Sequence, residues 1–494
     1  MSRTVRVRFG LSLLSSAVLP LMLGGCTGGE IASTGTPLSA TERQDGAKAH
    51  PELVAEFGGA ETGPQADYVA NVTRKVAVHS GLSSAPGDFT VTLLNSSINN
   101  AFAIPGGYVY VTRQLVALMN NEAELAGVMG HEIGHVAARH SARRQAEAQQ
   151  NALLGVLGQV LSGVVFGNSA IGQIGQKISS TVPQLATLRY SRSQELQADD
   201  LGIQYLNAAG YDPRAMASVL QSLAAQNALD AQLQGRDAGT PEWASTHPDP
   251  ASRVQTALGK AGPAANGATN RDVFLSRIDG IMYGDDPRQG VIEGRTFVHP
   301  EFRLTFQAPE GFYMVNGSRA VSINGQSGRA QLSSAAYSGN LETYVRNAFN
   351  ALAGEGQSLA PSSIQRTTIN GIPAAYGVAR VNTSSGQVDA VVYAYEFASN
   401  RAFHFTAITA AGQSGALSSM YQSLRRIGAA DAAAIKPRRM EVVTVRNGDT
   451  VASLAARMAY DDAREARFRV LNGLSSSDRV VPGQKVKVVI KSAS

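Results

Sequence analysis

The sequence predicts a multidomain protein in which a mainly α-helical domain with a small β element precedes an α+β domain and a short βααβ unit. Its 494 residues exceed the usual size of a single domain. Helical periodicity dominates residues 46–270, whereas residues 290–430 alternate in the manner of strands. Residues 440–490 contain a strand, a helical stretch and a last strand. A content of 44% hydrophobic and 16% charged residues is typical of a folded chain.

The N-terminus predicts an export signal followed by a lipid anchor. Residues 1–25 place three arginines before an apolar stretch of about 15 residues, which is shorter than a membrane-spanning helix needs. The stretch ends in Gly-Gly-Cys26, which resembles the lipobox of bacterial lipoproteins, and Cys26 is the only cysteine. We therefore expect a lipidated Cys26, a tether over residues 26–45 and a location in the periplasm. Thr27, rather than aspartate, after the cysteine favours the outer membrane.

Residues 46–270 are predicted to form the first domain, which contains one clear extended segment. Around a Pro-Gly-Gly turn, residues 101–112 alternate β-branched and aromatic side chains, as strands do. A long helical stretch over residues 115–144 follows. Residues 152–182 are small, apolar and glycine-rich, and two interpretations remain open. They are helices packed over a functional site, which we favour, or a hairpin inserted in a membrane.

The segment HEIGH lies within the long helical stretch and predicts a metal centre. Positions i and i+4 of a helix lie about 40° apart, so His131 and His135 project from one face and can share a cation. Imidazole nitrogen suits Zn²⁺, and two such ligands leave room for a third and for a water. Glu132 can take a proton from that water without binding the metal, which makes it the predicted general base. A surface helix with two histidines is the alternative.

A third metal ligand is expected from another helix. Glu195 and Asp199 are four residues apart and therefore share a helix face. Glu195 could bind the zinc, while Asp199 orients a ligand imidazole. Three other glutamates compete with Glu195 in the sequence: Glu122, Glu124 and Glu147. The first two lie upstream on the helix of HEIGH and the last follows too soon on the same stretch, so Glu195 is preferred.

Three segments, NNAFAIPGGYVYV, GHEIGH and YSRSQELQADDLG, occur in an order that resembles the HtpX/BepA-like family of zinc metallopeptidases, which includes the CAAX prenyl proteases. The resemblance covers residues 46–265 and implies a mainly α-helical zincin metallopeptidase domain with one Zn²⁺ per chain. It implies that His131, His135 and Glu195 hold the zinc and that Glu132 is the base. It also implies that one strand pairs with the substrate backbone. That strand contains Ala101, Phe102, Ala103 and Ile104.

His247 is a further candidate for the active site, because members of the family carry a similar His-Pro segment there. Two roles are open: His247 stabilises the oxyanion of the reaction, or it occupies the open position of the zinc and keeps the enzyme latent. A loop histidine that caps the next helix is the alternative. Arg253 is expected to pair with a nearby carboxylate. His140 and His79 are predicted to be structural, since His140 follows His135 by five residues and turns away from the metal-binding face.

Residues 290–430 are predicted to form an α+β domain with an antiparallel sheet, which resembles the PsbP/Mog-like fold. Leu341 to Ala353 and Gly415 to Arg425 are the predicted helices. No cluster of titratable residues stands out in this region. His299 and His404 are therefore interpreted as ordinary surface or core histidines, and the domain as an interaction or spacer domain of unknown role.

Residues 440–490 resemble the LysM module, a βααβ unit that binds glycans containing N-acetylglucosamine. The NGDT turn, the LNGL segment and the Pro-Gly-Gln turn before a last strand occur in the order of that family. The resemblance implies that the sugar lies against two loops. The predicted glycan-binding residues are Gly448, Asp449, Thr450, Leu471, Asn472 and Gly473. A module that serves only as a small packing domain is the alternative.

Together these features predict a lipid-anchored periplasmic zinc endopeptidase that acts on misfolded or stalled envelope proteins such as outer-membrane proteins. The predicted partners are unfolded envelope proteins, peptidoglycan and the membrane. A formal net charge of only +5 gives no reason to expect nucleic acid as a partner. Two alternatives remain: a wall-tethered chaperone or scaffold with a vestigial zinc site, and a peptidoglycan hydrolase.

Overall fold

The helix that carries HEIGH runs through the first domain, and the neighbouring elements are arranged around it. The computed structural model describes residues 36–143, 190–234, 247, 250–262, 267–353, 359–383 and 386–492. These residues belong to one compact unit that extends from Gly35 to Ser494. The predicted signal peptide, Cys26 and the segment 152–182 lie outside the described residues.

The order of helices and strands follows the predicted change from helical to strand patterning. The described helices are α1 (Ala40–Glu56), α2 (Pro64–Ala77), α3 (Arg113–Leu118), α4 (Glu122–Ala137), α5 (Arg192–Ala208), α6 (Ala215–Leu233), α7 (Pro250–Ala261), α8 (Arg271–Ile278), α9 (Leu341–Ala353), α10 (Ser418–Ser423), α11 (Ala429–Ala434), α12 (Val451–Ala455) and α13 (Arg464–Leu471). The described strands are β1 (Thr90–Leu94), β2 (Ala101–Ile104), β3 (Tyr108–Thr112), β4 (Met282–Tyr283), β5 (Val291–Glu293), β6 (Thr296–His299), β7 (Leu304–Gln307), β8 (Tyr313–Asn316), β9 (Val321–Gly325), β10 (Gly328–Ala335), β11 (Ile364–Ile369), β12 (Ile372–Thr383), β13 (Gly386–Ala398), β14 (Arg401–Ala410), β15 (Arg425–Arg426), β16 (Arg438–Thr444) and β17 (Lys485–Lys491). Among these helices, none combines the length and the apolar character that crossing a membrane requires.

The structure corrects the end of the predicted tether, residues 26–45, because a helix begins inside it. α1 starts at Ala40, and Ser39 and Glu42 form a capping box at its N-terminus. The side chain of Leu38 is buried in the core of the first domain. A buried anchor and a capped helix fix the chain in place. The first domain therefore begins at about Leu38 and not at residue 46.

The first domain contains the small β element that the sequence predicts. Its sheet has the order β1-β3-β2, in which β1 runs parallel and β2 antiparallel to β3. α4 packs against β2, α2, α5 and α6 and is buried along its whole length. A Cβ at Gly202 of α5 would come within 3.1 Å of the backbone nitrogen of His131. Glycine at this position therefore lets α5 lie directly against α4.

The second domain is an antiparallel α+β domain, as predicted. Its larger sheet has seven strands in the order β11-β12-β13-β14-β10-β9-β8, and a smaller sheet has the order β15-β7-β6-β5. α9 covers one face of the larger sheet, and the smaller sheet packs on the other face through an aromatic core. His404 on β14 and His299 on β6 are both buried.

The third unit has the predicted βααβ arrangement and is joined closely to the first domain. β16 and β17 are antiparallel, and β4 adds a third strand beside β16. Lys487 of β17 is fully buried. Its ammonium group donates to the carbonyls of Ala117, Leu118 and Met119 over 2.9, 3.0 and 2.6 Å. These carbonyls lie at the C-terminal end of α3, where a cation is favoured. The unit is therefore packed on the first domain and not suspended from a free linker.

Candidate metal centre

Four buried side chains from three parts of the chain meet beside α4. Two histidines come from α4 itself, a glutamate comes from the first turn of α5, and a third histidine precedes α7. Their potential ligand atoms all lie within 4.8 Å of one another. The four residues are His131, His135, Glu195 and His247. The structure thus brings the three predicted metal ligands together and adds His247 to them.

The distances within this donor set are short enough for one shared cation. Nε2 of His131 lies 3.0 Å from Nε2 of His135 and 3.3 Å from Nδ1 of His247. The carboxylate of Glu195 lies 3.6 Å from Nε2 of His131 and 3.4 Å from Nε2 of His135. Its distance to Nδ1 of His247 is 3.1 Å. Imidazole nitrogens that face one carboxylate are a donor set that suits Zn²⁺.

The electrostatics of the site also fit a divalent cation. Glu132, Glu195 and Asp199 are buried carboxyl groups, and Arg253 is a buried guanidinium beside them. When ionised, these four groups leave a surplus of two negative charges, which a Zn²⁺ ion would neutralise. One oxygen of Glu132, Oε1, is buried without a hydrogen-bond partner. Donor chemistry and charge therefore both agree with zinc.

Glu132 lies next to the donor set but outside it, as a general base requires. Its Oε1 is 3.5 Å from Nε2 of His247. Burial raises the pKa of the Glu132 carboxyl above its ordinary value, although the charges of His247 and His131 oppose this shift. A carboxyl group with a raised pKa takes up a proton more readily near neutral pH. The position and the pKa shift therefore suit the predicted role.

Burial and neighbouring charges produce opposite pKa shifts within the donor set. Burial would raise the pKa of Glu195, but the charge of His247 and hydrogen bonds from His135 and His247 hold it far below its ordinary value. Burial would lower the pKa of His247, but Glu195 and Glu132 raise it above its ordinary value. At His135 burial dominates and lowers the pKa, which favours the neutral imidazole that a metal needs.

Asp199 and Arg253 hold the donor set in place. Oδ1 of Asp199 lies 2.9 Å from Nδ1 of His131, so the carboxylate can accept the hydrogen bond that orients this ring. Arg253 donates from Nε to Asp199 over 2.8 Å and from its terminal nitrogens to Asp199 and Glu195. The expectation that Arg253 pairs with a carboxylate is confirmed.

Sequence reasoning misses two contacts of His135. Nδ1 of His140 lies 2.8 Å from Nδ1 of His135, and the ring of Tyr190 stacks on His135 with the centroids 3.8 Å apart. His140 is outside the donor set, as predicted, but it touches a member of that set. α4 ends at Ala137, and Arg139 adopts a left-handed φ of 56°, so the chain turns back toward the helix. Helical spacing cannot predict the contact between His140 and His135, because it assumes that α4 continues through residue 140, whereas α4 ends at Ala137.

The predicted substrate strand lies at an edge of the small sheet. Within the described residues β2 pairs with β3 alone, so its other side has no strand partner. Ala101, Phe102 and Ala103 are buried and Ile104 is partly buried. The ring of Phe102 stacks on Tyr110 with the centroids 4.5 Å apart. Among the described strands β2 is thus an edge strand that packs against α4, and its role as the substrate strand stays a prediction.

The predicted glycan-binding residues fall into two groups. The first loop reaches the surface and contains Gly448, Asp449 and Thr450. In the second loop Leu471 and Asn472 are buried, and the amide of Asn472 donates to the carbonyl of Lys487 over 2.9 Å. Gly473 of the same loop is exposed. A sugar could therefore meet the first loop and Gly473, whereas the side chains of Leu471 and Asn472 serve the interior of the unit.

Two regions of the chain match models of known protein domains. Residues 64–261 match the model of peptidase family M48, and residues 443–489 match the model of the LysM domain. M48 metallopeptidases use zinc, so the first match agrees with the predicted cofactor and with the donor chemistry of the buried group. Both predicted resemblances are confirmed for these parts of the chain.

Curated relatives match less than half of the chain. The chain is 34% identical over 225 residues to a beta-barrel assembly-enhancing protease of Yersinia pestis. The matched region covers 44% of this chain and 44% of the relative. It is 33% identical over 197 residues to the protein of that name from Escherichia coli O157:H7, with coverage of 39% of this chain and 38% of the relative. It is 27% identical over 218 residues to the mitochondrial metalloendopeptidase OMA1 of Schizosaccharomyces pombe, with coverage of 43% and 59%. The chain therefore spans less than half of the length of the first two relatives.

Solved structures show only a weak likeness. A protein from Bacteroides thetaiotaomicron matches 40% of this chain and 87% of its own, with 10% identity and a TM-score of 0.24. PsbP from Synechocystis matches 26% of this chain and 91% of its own, with 10% identity and a TM-score of 0.22. Scores this low carry no argument about the fold. The PsbP-like character of the second domain therefore stays a prediction.

The sequence matches and the geometry agree in two parts of the molecule. In the first domain, the matched residues 64–261 include the HExxH helix and the glutamate that faces it from α5. In the third unit, the matched residues 443–489 cover the βααβ arrangement. The chain therefore contains a domain of peptidase family M48 over residues 64–261 and a LysM domain over residues 443–489.

Proposed function

We propose that this protein is a zinc-dependent endopeptidase of the bacterial envelope that cleaves misfolded or stalled proteins. The observation that carries the proposal is the buried set of His131, His135 and Glu195 with Glu132 beside it. Relatives named beta-barrel assembly-enhancing proteases support outer-membrane β-barrel proteins as the substrate class.

In the proposed reaction each residue of the centre has one task. His131, His135 and Glu195 would hold the zinc, which when bound would act as a Lewis acid and lower the pKa of a water. The carboxylate of Glu132 accepts a proton from the attacking water. It later transfers this proton to the amine of the leaving group. Asp199 keeps the ring of His131 oriented through its hydrogen bond. The burial of these groups strengthens their electrostatic interactions.

We propose that the substrate binds in an extended form as a strand added to β2. Strand addition selects free backbone rather than a particular side chain, so it suits unfolded or misfolded proteins. The packing of β2 on α4 would bring the added strand beside the donor set. Methylation of backbone nitrogens in a peptide substrate should therefore raise KM, whereas side-chain changes of equal size should have smaller effects.

The geometry around His247 supports the latent form more directly than the oxyanion role. Its Nδ1 lies 3.3 Å from Nε2 of His131 and 3.1 Å from Glu195, which is within the donor set and not at its margin. The two roles predict opposite results for His247→Ala. If His247 keeps the enzyme latent, cleavage of casein should increase; if it stabilises the oxyanion, kcat should fall.

We also propose that the lipid on Cys26 and the LysM domain hold the peptidase between the outer membrane and the wall. The exposed first loop and Gly473 support a sugar-binding surface on the LysM domain. Cys26→Ser should move the protein to the soluble fraction of the periplasm. The contact of the LysM domain with the wall is tested by binding the full-length protein to purified peptidoglycan. Chitooligosaccharides should compete with this binding.

The central experiment compares the wild-type protein with Glu132→Gln. Glutamine keeps the size of the side chain but cannot accept the proton, so both proteins should bind one zinc and only the wild type should cleave casein. Metal analysis and a zymogram measure the two properties on the same samples. Equal cleavage by the two proteins would overturn the proposal.

A peptidoglycan hydrolase is the second candidate, and the LysM domain is the observation that favours it. Incubation with purified sacculi separates the two functions. Release of muropeptides by the wild type, but not by Glu132→Gln, would support the hydrolase. An unchanged muropeptide profile together with casein cleavage would support the endopeptidase.

A further inference from the structure

The two histidines on α4 have different neighbours on the side away from the donor set. Nδ1 of His131 lies 2.9 Å from a carboxylate oxygen of Asp199. Nδ1 of His135 lies 2.8 Å from Nδ1 of another imidazole, that of His140. Both neighbours are buried. One ring is therefore oriented by a charged group, and the other by a second histidine.

The hydrogen bonds around His135 permit one arrangement of protons when its Nε2 binds a metal. Metal binding through Nε2 requires the proton of His135 on Nδ1. That N–H then donates to Nδ1 of His140, which must be unprotonated. The proton of His140 consequently lies on Nε2, and Nε2 is 3.0 Å from Oε1 of Gln197, an acceptor. Each proton position follows from the one before it.

This hydrogen-bonded series connects the two helices that carry the proposed ligands. His140 is returned to α4 by the left-handed turn at Arg139. Gln197 lies on α5, between Glu195 and Asp199. The stacked ring of Tyr190 holds His135 from its face. A displacement of α5 relative to α4 would therefore break the series at Gln197.

We propose that His140 is a positioning residue of the metal centre, because it accepts a hydrogen bond from His135 and, with Gln197, fixes the tautomer that leaves Nε2 of His135 free to bind zinc. The inference rests on the proposed function, since it assumes zinc at this centre. Neighbours that orient a ligand imidazole contribute roughly 10- to 100-fold to metal affinity in other proteins.

The test measures zinc affinity in the full-length protein with three variants and does not depend on catalysis. Asparagine at position 140 places an oxygen near the position of Nδ1 and keeps the acceptor, whereas leucine of similar bulk removes it. His140→Leu should bind zinc roughly 10- to 100-fold more weakly than wild type in competition with a chromogenic chelator. His140→Asn should recover most of that loss. His79→Leu, the same substitution at an exposed histidine outside the donor set, is the control.

A second pair of variants acts through Gln197, which is only partly buried and therefore tolerates substitution. Gln197→Glu retains an acceptor for Nε2 of His140, whereas Gln197→Met does not. Gln197→Met should weaken zinc binding by a smaller factor than His140→Leu, and Gln197→Glu should restore it. Nitrogen-15 spectra of the zinc-loaded wild type should show the proton of His135 on Nδ1.

The outcomes separate this inference from the proposed function. Equal zinc affinity in wild type and His140→Leu, or equal weakening by His140→Asn and His140→Leu, would overturn the inference. If His140→Leu does not fold, equal affinities of Gln197→Met and Gln197→Glu would overturn it instead. A wild-type protein that binds no zinc, or binds zinc and cleaves no protein, would contradict the proposed function.

Discussion

The first two domains each contain a cluster around a buried histidine, and the pKa shifts of the two histidines are opposite. Burial would lower the pKa of His247, but Glu195 and Glu132 raise it. Burial lowers the pKa of His404 to about 4. Among the described residues, the ring nitrogens of His404 are hydrogen-bonded to two hydroxyl groups, those of Tyr344 and Ser333, over 2.8 and 3.2 Å. The carboxylates, and not the burial, distinguish the two clusters.

This difference explains why only one of the clusters fits a metal. A cation beside His404 would be buried without a negative charge to offset its lost hydration, which costs several kcal/mol. In the first domain the surplus of carboxylate charge over Arg253 supplies that offset. The interpretation of His404 as an ordinary core histidine agrees with this environment.

The largest expected effect follows from removing one carboxylate charge from the donor set. Glu195→Gln keeps the shape of the side chain but weakens both the metal contact and the electrostatic balance of the centre. We expect zinc affinity to fall by more than the roughly 10- to 100-fold that the loss of a neighbour orienting a ligand costs, and casein cleavage to be lost. His404→Asn is the matched change in the second domain and should leave zinc content and cleavage at wild-type levels. Equal losses of zinc affinity and cleavage in Glu195→Gln and His404→Asn would contradict the difference proposed between the two histidine clusters.

The next effect concerns the guanidinium that balances the carboxylates. Arg253→Met removes the buried guanidinium that donates hydrogen bonds to both Glu195 and Asp199. Removing one partner of a buried ion pair costs about 3–5 kcal/mol, so we expect a loss of that order in the zinc-free protein. Urea unfolding followed by circular dichroism in the presence of a chelator measures it. A smaller loss is expected with zinc bound, because the ion replaces part of the missing charge; a loss below about 1 kcal/mol without zinc would contradict this account.

The parts of the site that the sequence predicts are those with local spacing. His131 and His135 follow from the period of a helix, and Glu195 with Asp199 follows from the same period on α5. The resemblance, and not spacing, connects His247 to the site, because no local pattern relates His247 to His131, 116 positions away in the chain. The contact of His140 depends on where α4 ends, which helical spacing does not reveal.

The same limit applies to the fold. The change from helical to strand patterning predicts the order of the three units, since each pattern is read within a short window. The capping box that starts α1 lies within the segment that the sequence predicts to be a tether. The pairing of β4 with β16 and the insertion of Lys487 among the carbonyls at the end of α3 join distant segments. Contacts of this kind arise from packing and leave no periodic signal.

The third prediction uses pH to separate the two histidines. The pKa of His404 is about 4 in the folded protein and about 6.5 when unfolded, so the unfolded chain binds the proton more tightly. Stability is therefore lost as the pH falls below 6.5, by about 2 kcal/mol between pH 7 and pH 5. His299, whose pKa is also lowered to about 4, adds a loss of the same sign.

His404→Asn should remove its share of this pH dependence and leave that of His299. The raised pKa of His247 has the opposite sign, because its contribution is present at low pH and is lost as the pH rises through the folded value. Urea unfolding of the zinc-free protein at pH 7 and pH 5 measures the slopes. An unchanged slope in His404→Asn would show that His404 is not the buried neutral histidine described above.

The smallest effect is expected at Ser333, whose hydroxyl lies 3.2 Å from Nε2 of His404. The two residues face each other across β10 and β14, so the contact follows from strand register. The hydroxyl of Tyr344 accepts from the N–H of Ala335 and donates to the carbonyl of Ala402 over 3.0 and 3.2 Å. The cluster is thus a hydrogen-bonded structural network in which each neighbour of His404 is neutral.

Ser333→Ala removes one hydrogen bond from this network and should lower the free energy of unfolding by about 0.5–1.5 kcal/mol. Casein cleavage should not change, because the network lies in the second domain and the described hydrogen-bond partners of the His404 ring are hydroxyl groups. A serine hydrogen-bonded to a histidine is also the geometry of a nucleophile with its base. Hydrolysis of p-nitrophenyl acetate tests that possibility. If Glu195→Gln hydrolyses this ester and the double variant with Ser333→Ala does not, the second cluster is a catalytic site without carboxylates, and the contrast between the two domains fails.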